Sequence, residues 1–166
     1  AQITLGTCAS PDDAYQVLRG LRTMGVRLER HQESALELAR WLEGVDDVAR
    51  VLHPALPSFP GHELWKRDFL GSCGLFAVVL KPQPKAAVTA FIDALQYFGL
   101  GVSWGGFESL IIPFDPSGDR VTARWPHEGQ ALRLHIGLED TCDLIADLSR
   151  GFAAMRQVAE SQALAA

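Results

Sequence analysis

The sequence predicts an α+β fold: a small, mostly antiparallel sheet covered by helices and led in by one long helix. Two observations predict it. Apolar residues recur at helical spacing over 10–43, over 85–98 and over 139–155. Between these segments lie short strand-like runs, of which Cys73 to Leu80 is the longest apolar one. The chain has 166 residues, the size of one domain, and no internal repeat. The expected division is a lead-in over 1–9, a long helix over 10–43, an α+β body over 44–155 and a weak tail over 156–166.

Each element has a local cause. Ala1 to Ala9 lacks a pattern and is expected to be extended. Ser10-Pro11-Asp12-Asp13 is a helix start, with a hydroxyl as N-cap, proline at the first helical position and acids in the first turn. Ala14, Val17, Leu18, Leu21, Met24, Leu28, Ala35, Leu38 and Leu42 then repeat at helical spacing towards Gly44. Gly20 and Gly25 fall inside, each costing about 1 kcal/mol against alanine, so a kink or close contact is expected there. Arg19, Arg22, Arg27 and Arg30 line this helix, as a solvated charged face does.

Val48 to Leu52 reads as a strand, and His53 to Pro60 as a proline-rich loop. His62 to Phe69 is a short helix or turn. Lys81-Pro82-Gln83-Pro84 ends the Cys73–Leu80 strand. The helix from Lys85 stops at Gly99, and Gly99–Val102 and Leu110–Ile112 are short strands. Pro113 to Gly129 mixes proline, glycine and charge, and is an exposed loop. In Ala131-Leu132-Arg133-Leu134-His135-Ile136-Gly137, period-two alternation puts Arg133 and His135 on one face and Leu132, Leu134 and Ile136 on the other. Leu144, Ile145, Leu148 and Phe152 share one face of the last helix.

Composition narrows the function. Hydrophobic residues make up 48% and charged residues 21%, as in ordinary globular chains. A net charge of −5 with no basic block argues against nucleic acid and against an anionic membrane surface. No apolar run reaches spanning length, and the first ten residues lack a leader pattern. Cys8, Cys73 and Cys142 are scattered, which indicates neither a disulfide framework nor a zinc site and suits a reducing cytoplasm. The five histidines have no metal-ligand spacing; most are expected on the surface or in loops. Trp41, Trp65 and Trp125 read as packing residues.

The chemistry-bearing stretch is Gly101-Val102-Ser103-Trp104-Gly105-Gly106-Phe107-Glu108-Ser109-Leu110. It joins a hydroxyl, an aromatic and a glycine pair whose bare N–H groups can receive an anion. An arginine on a neighbouring strand is a carboxylate clamp candidate, because its planar fork matches a carboxylate. The stretch also matches G-x-S-x-G, the nucleophile elbow of α/β-hydrolases. That motif needs a helix after the serine, where Gly106 and Leu110-Ile111-Ile112-Pro113 stand instead. A nominal triad would combine Ser103 with Asp115 or Asp119 and His127 or His135.

Ser-Trp-Gly-Gly-Phe-Glu-Ser-Leu and Leu-Arg-Leu-His-Ile-Gly-Leu-Glu-Asp resemble the C-terminal domain of the Cys/Met-metabolism enzymes that depend on pyridoxal 5'-phosphate (PLP, fold type I). Within that family the bacterial cystathionine beta-lyases are the nearest likeness. Arg19-Gly20-Leu21-Arg22-Thr23, His53-Pro54-Ala55-Leu56-Pro57 and Trp65-Lys66-Arg67-Asp68 extend it over roughly 5–155. Gamma-acting relatives usually have leucine at Trp104 and Ser-Val-Gly at His135-Ile136-Gly137. The resemblance implies a PLP-dependent carbon–sulfur lyase that cleaves L-cystathionine to homocysteine, pyruvate and ammonia, in methionine biosynthesis, as a cytoplasmic tetramer. It implies that Arg133 clamps the substrate α-carboxylate and that Ser103 and Trp104 line the same pocket. Val102 departs from the tyrosine of close bacterial relatives, which bears on fine specificity. The family's Schiff-base lysine lies in the large domain, in a Thr-Lys context. Lys66, Lys81 and Lys85 have none, so the chain is expected to be a C-terminal fragment, inactive and without PLP by itself. The other reading is a non-catalytic binding or scaffold module derived from such a domain.

Overall fold

The computed structural model describes residues 2–118 and 120–164. Asp119, one of the nominal triad partners, and Ala1, Ala165 and Ala166 lie outside the described residues. The α+β expectation is met. Six helices, α1 (Gln2–Leu5), α2 (Pro11–Arg22), α3 (Met24–Glu43), α4 (His62–Asp68), α5 (Lys85–Asp93) and α6 (Thr141–Leu164), accompany five strands. The strands are β1 (Val48–Leu52), β2 (Leu75–Leu80), β3 (Gly99–Leu100), β4 (Leu110–Phe114) and β5 (Ala131–His135). They form one sheet in the order β1-β2-β5-β4-β3, antiparallel except for the parallel β3–β4 pair.

The long first helix is broken. The Ser10 hydroxyl oxygen accepts the Asp13 N–H and starts α2 as expected, but Thr23 leaves helical geometry at φ −109°, ψ 3°. The Gly20 carbonyl, freed from the helical ladder, takes the Thr23 N–H and the Arg27 guanidinium, at 3.3 and 2.8 Å. Two helices therefore meet where one kinked helix was expected. None of α2 is buried: Val17, Leu18 and Leu21 are exposed although they repeat at core-facing spacing. Periodicity reports an apolar stripe but not its partner. At the other end, α6 continues through Leu164, well past the expected end near Met155. Ala153, Ala154, Ala159 and Ala163 favour the longer helix, since alanine carries no helix penalty. The lead-in holds a helical turn over Gln2–Leu5 in place of an extended run.

The core lies between one face of the sheet and three helices. Phe76, Val78 and Leu80 of β2, Ile111 of β4, and Leu132 and Leu134 of β5 pack against Leu38 and Leu42 of α3, Phe91 of α5, and Leu144, Leu148 and Phe152 of α6. Gly151 brings α5 and α6 together, since a Cβ there would press on Phe91 and Leu95 at 3.0 Å. On the opposite face Ala77, Arg133 and Ile112 lie side by side across β2, β5 and β4, each half-buried. The strand that carries Arg133 is thus the centre of the sheet.

Candidate functional site

Arg133 and His135 do share one face of β5, and Leu132 and Leu134 face the core. The segment 101–109 crosses this end of the sheet as a loop between β3 and β4. It is fastened at several points. Gly101 N–H donates to the Ile111 carbonyl at 3.3 Å, and Leu138 N–H donates to the Phe107 carbonyl at 2.8 Å. Arg133 Nη2 donates to the Val102 carbonyl at 2.5 Å. His135 meets the backbone of Gly105 and Gly106.

Glu139 fixes the far end of the loop. Its carboxylate accepts the Ser109 N–H at 2.7 Å and the Ser109 hydroxyl at 2.8 Å, and that hydroxyl accepts the Gly137 N–H at 2.8 Å. Glycine is required at 137, where a Cβ would overlap the Phe107 carbonyl. Asp147 fixes the chain leading into β3. Its buried carboxylate accepts the N–H groups of Gln96, Tyr97 and Phe98 at 2.8, 2.8 and 3.1 Å. The pinned loop presents Ser103 and Trp104 to the outside; the Trp104 side chain is 62% exposed. Trp104 is therefore not a core residue.

Ser103 does not sit in a nucleophile elbow. The residues after it form loop and then β4, not a helix. Asp115 bonds Ser117, and His127 packs against Trp125 at 4.7 Å between ring centroids. Ser103 has no histidine partner among the described residues.

Most of the five histidines are expected at the surface or in loops; three are buried, His31 on α3, His53 in the loop after β1, and His135 on β5 beside Arg133. His31 Nδ1 lies 2.7 Å from the Ile136 carbonyl and its ring is 5.3 Å from that of His135. Both line a cavity of about 240 Å³ with Met24, Leu28, Gly74 and Trp104. Burial pushes the pKa of His135 below the ordinary imidazole value; its bond to Gly106 opposes this, His31 reinforces it, Glu139 opposes it and Arg133 reinforces it. Sequence reasoning placed His135 beside Arg133 but missed the roles of His31, Glu139 and Asp147. Their partners are carbonyls and N–H groups far along the chain, which no local pattern signals.

Arg133 pairs with no carboxylate among the described residues. A guanidinium has five N–H donors in a plane, and the Val102 carbonyl uses part of this set. The remaining donors, beside an exposed Ser103 and Trp104, can receive a carboxylate in bidentate geometry. No group of three or more His, Cys, Asp or Glu suited to a metal ion occurs among the described residues. No described helix is long and apolar enough to cross a membrane.

Comparison with known proteins agrees on one family. The pattern of the Cys/Met metabolism PLP-dependent enzymes matches residues 1–153. Cystathionine beta-lyase of Salmonella typhimurium is 50% identical over 155 residues, which are 90% of this chain and 39% of that protein. Cystathionine beta-lyase MetC of Escherichia coli gives the same figures. Among solved structures, cystathionine gamma synthase from Xanthomonas oryzae pv. oryzae in complex with cystathionine superimposes with a TM-score of 0.79 at 38% identity, over 93% of this chain and 41% of that one. The chain spans about 40% of the length of the relatives it matches.

Proposed function

We propose that this chain, which belongs to the Cys/Met metabolism PLP-dependent enzyme family, is the C-terminal part of a cystathionine beta-lyase. It supplies the side of the active site that binds the substrate carboxylate. The observation that carries this reading is the half-buried Arg133, with no carboxylate partner among the described residues, held by the Val102 carbonyl beside exposed Ser103 and Trp104. The identity of 50% with two proteins named cystathionine beta-lyase supports the beta-lyase reading over other reactions of the family.

PLP, when bound, serves as the electron sink for cleavage of the carbon–sulfur bond. The lysines described here do not fit its attachment. Lys66 on α4 pairs with Glu63 at 3.5 Å, while Lys81 and Lys85 follow the end of β2 that pairs with Ala131, away from His135. The attaching lysine is assigned to a part of the enzyme beyond these residues. What this chain does is bind and orient. Arg133 grips the α-carboxylate, the pinned loop fixes Ser103 beside it, and the Trp104 indole walls the pocket and excludes water. The substrate is L-cystathionine and the products are homocysteine, pyruvate and ammonia.

The test is kinetic, in the full-length enzyme that carries these residues. A hydrogen bond to a charged group contributes about 1.5–3 kcal/mol, so Arg133→Ala should lower kcat/KM for L-cystathionine by roughly 10- to 150-fold. Arg133→Lys should restore only part, because a point charge cannot reproduce the fork. If both variants fold and stay within about threefold of the parent, roughly 0.7 kcal/mol, Arg133 is structural only. Pyruvate formation from L-cystathionine checks the reaction itself; 2-oxobutyrate as the main product would assign gamma chemistry instead.

A further inference from the structure

The ring of His135 is the joint between the loop and the sheet. Its Nε2 lies 3.1 Å from the Gly106 carbonyl, and the Gly105 N–H points at the ring, 3.2 Å from Nε2 and 3.4 Å from Nδ1. Only one neutral tautomer satisfies both neighbours. With the proton on Nε2, that nitrogen donates to the Gly106 carbonyl and Nδ1 accepts from Gly105. With the proton on Nδ1, an Nε2 lone pair faces the Gly106 carbonyl, and only the Gly105 N–H, 3.2 Å from that nitrogen, is satisfied.

The ring cannot turn away from this task. A Cβ at Gly74 would overlap the Ile136 carbonyl and come within 3.1 Å of the His135 ring, so the backbone of 74 is pressed against it from β2's side. His31 closes another side, itself tied to Ile136. Gly105 has φ +83°, a left-handed conformation natural to glycine, and carries no side chain that could anchor the turn. The tie therefore falls on the imidazole.

We propose that His135 is the positioning residue of the Ser103–Trp104 loop: its neutral, Nε2-protonated ring holds the Gly105–Gly106 turn on β5, and gaining a second proton frees the turn. Protonated imidazole has an N–H on both nitrogens. The bond to Gly106 survives, but Nδ1 then opposes the Gly105 N–H donor to donor. The charged and titratable groups around the ring are His31 and Arg27 on α3, Cys73 ahead of β2, Arg133 on β5 and Glu139 ahead of α6. Glu139 is the one anion among them, and it is already engaged by Ser109. The same site thereby acquires a pH-dependent wall, whether or not the loop serves a beta-lyase.

Amide hydrogen exchange with mass-spectrometric readout, on the full-length protein carrying these residues, tests it. Rates for 103–107 are corrected for intrinsic pH dependence and compared with those for 144–152 of α6. In the parent, protection of 103–107 should fall about fivefold, the order of one neutral hydrogen bond, as pH drops from 8 to 5 while α6 is unchanged. His135→Phe keeps a ring but neither bond, and should lose that protection at every pH. His135→Gln places an amide N–H near the Nε2 position and cannot titrate, so it should restore much of the protection and flatten the pH profile. Equal protection of the loop in His135→Phe with α6 intact overturns the proposal, as does a parent profile that is flat with pH. If His135→Phe unfolds, as loss of α6 protection would reveal, the parent and His135→Gln profiles decide: parallel profiles refute a role for His135 titration.

Discussion

Removing the Asp147 carboxylate should destabilise the protein more than any surface change, although no sequence motif marks it. The side chain is fully buried and accepts three successive N–H groups, from Gln96, Tyr97 and Phe98, as well as the Arg150 guanidinium. Without it the Phe98 N–H is left buried and unpaired, and the other two, on the exposed residues Gln96 and Tyr97, lose their acceptor within reach of water. Each orphaned buried donor costs about 1–3 kcal/mol. Partial hydration of two of them brings the total for Asp147→Ala to about 3–5 kcal/mol, the range for breaking a buried charged network. For a chain of this size 1 kcal/mol moves Tm by about 2–4 °C, so Tm should drop by roughly 6–20 °C. Asp147→Asn separates packing from charge. It keeps the shape and one oxygen but turns an NH2 towards N–H donors, and should cost at least half as much. The assay is thermal and urea denaturation followed by circular dichroism. A loss under about 1 kcal/mol for both variants would refute the reasoning, because the turn would then have found other acceptors.

Further expectations follow from the same geometry. Gly129→Ala should cost about 3 kcal/mol or more, because its Cβ would overlap the Leu80 carbonyl, whereas Gly106→Ala, with open space around it, should stay within about 0.5 kcal/mol; urea midpoints compare the two. Glu139→Gln should weaken the hold on Ser109, speeding exchange of the Ser109 amide several-fold while leaving β2 unchanged. His53 should make stability fall in mild acid. Burial lowers its pKa, its own backbone bonding opposes this and Arg40 adds to the lowering. The unfolded chain therefore binds the proton first, and the stabilisation is complete above the ordinary imidazole value and is lost as pH falls through the folded value. His53→Asn, whose side-chain oxygen can accept the Ala55 N–H in place of Nδ1, should show a shallower fall of Tm from pH 7.5 to 5; an unchanged slope would exclude His53 as the source.

Much of this could be read in the sequence, because the relevant forces are local. Period-two alternation placed Arg133 and His135 together, and Ser10-Pro11 started α2 where caps and proline dictate. Most strand and helix identities held, but the helix from Lys85 ends at Asp93, although the helical apolar spacing runs on to Phe98. The break at Thr23 was only half legible: Gly20 and Gly25 signalled weakness, but the site of the break follows from Arg27 folding back on the Gly20 carbonyl. The exposure of α2 was illegible, since an apolar stripe looks the same with or without a partner. The buried histidines were misjudged for a related reason. A histidine's environment depends on which carbonyl it meets, and Ile136 is far in sequence from His31. Glu139, at the opening of the last helix, and Asp147, within it, proved to be acceptors for backbone N–H groups remote in sequence.

The place of β5 in the sheet carries a consequence for how the chain folds. It is the last strand in sequence and the middle strand in space, pairing Leu75 and Leu110 alike with His135. As the chain grows from its N-terminus, β1 and β2 can join as neighbours, and β3 can join β4, but the two halves have no edge in common until Ala131 to His135 arrives. Each of those pairings must close a long loop before any contact repays the lost entropy. Until then both halves expose unpaired strand edges, which invite association with other chains. The strand bearing the carboxylate clamp is thus also the keystone of assembly, and chains that stop short of it are expected to aggregate rather than to fold into a smaller sheet.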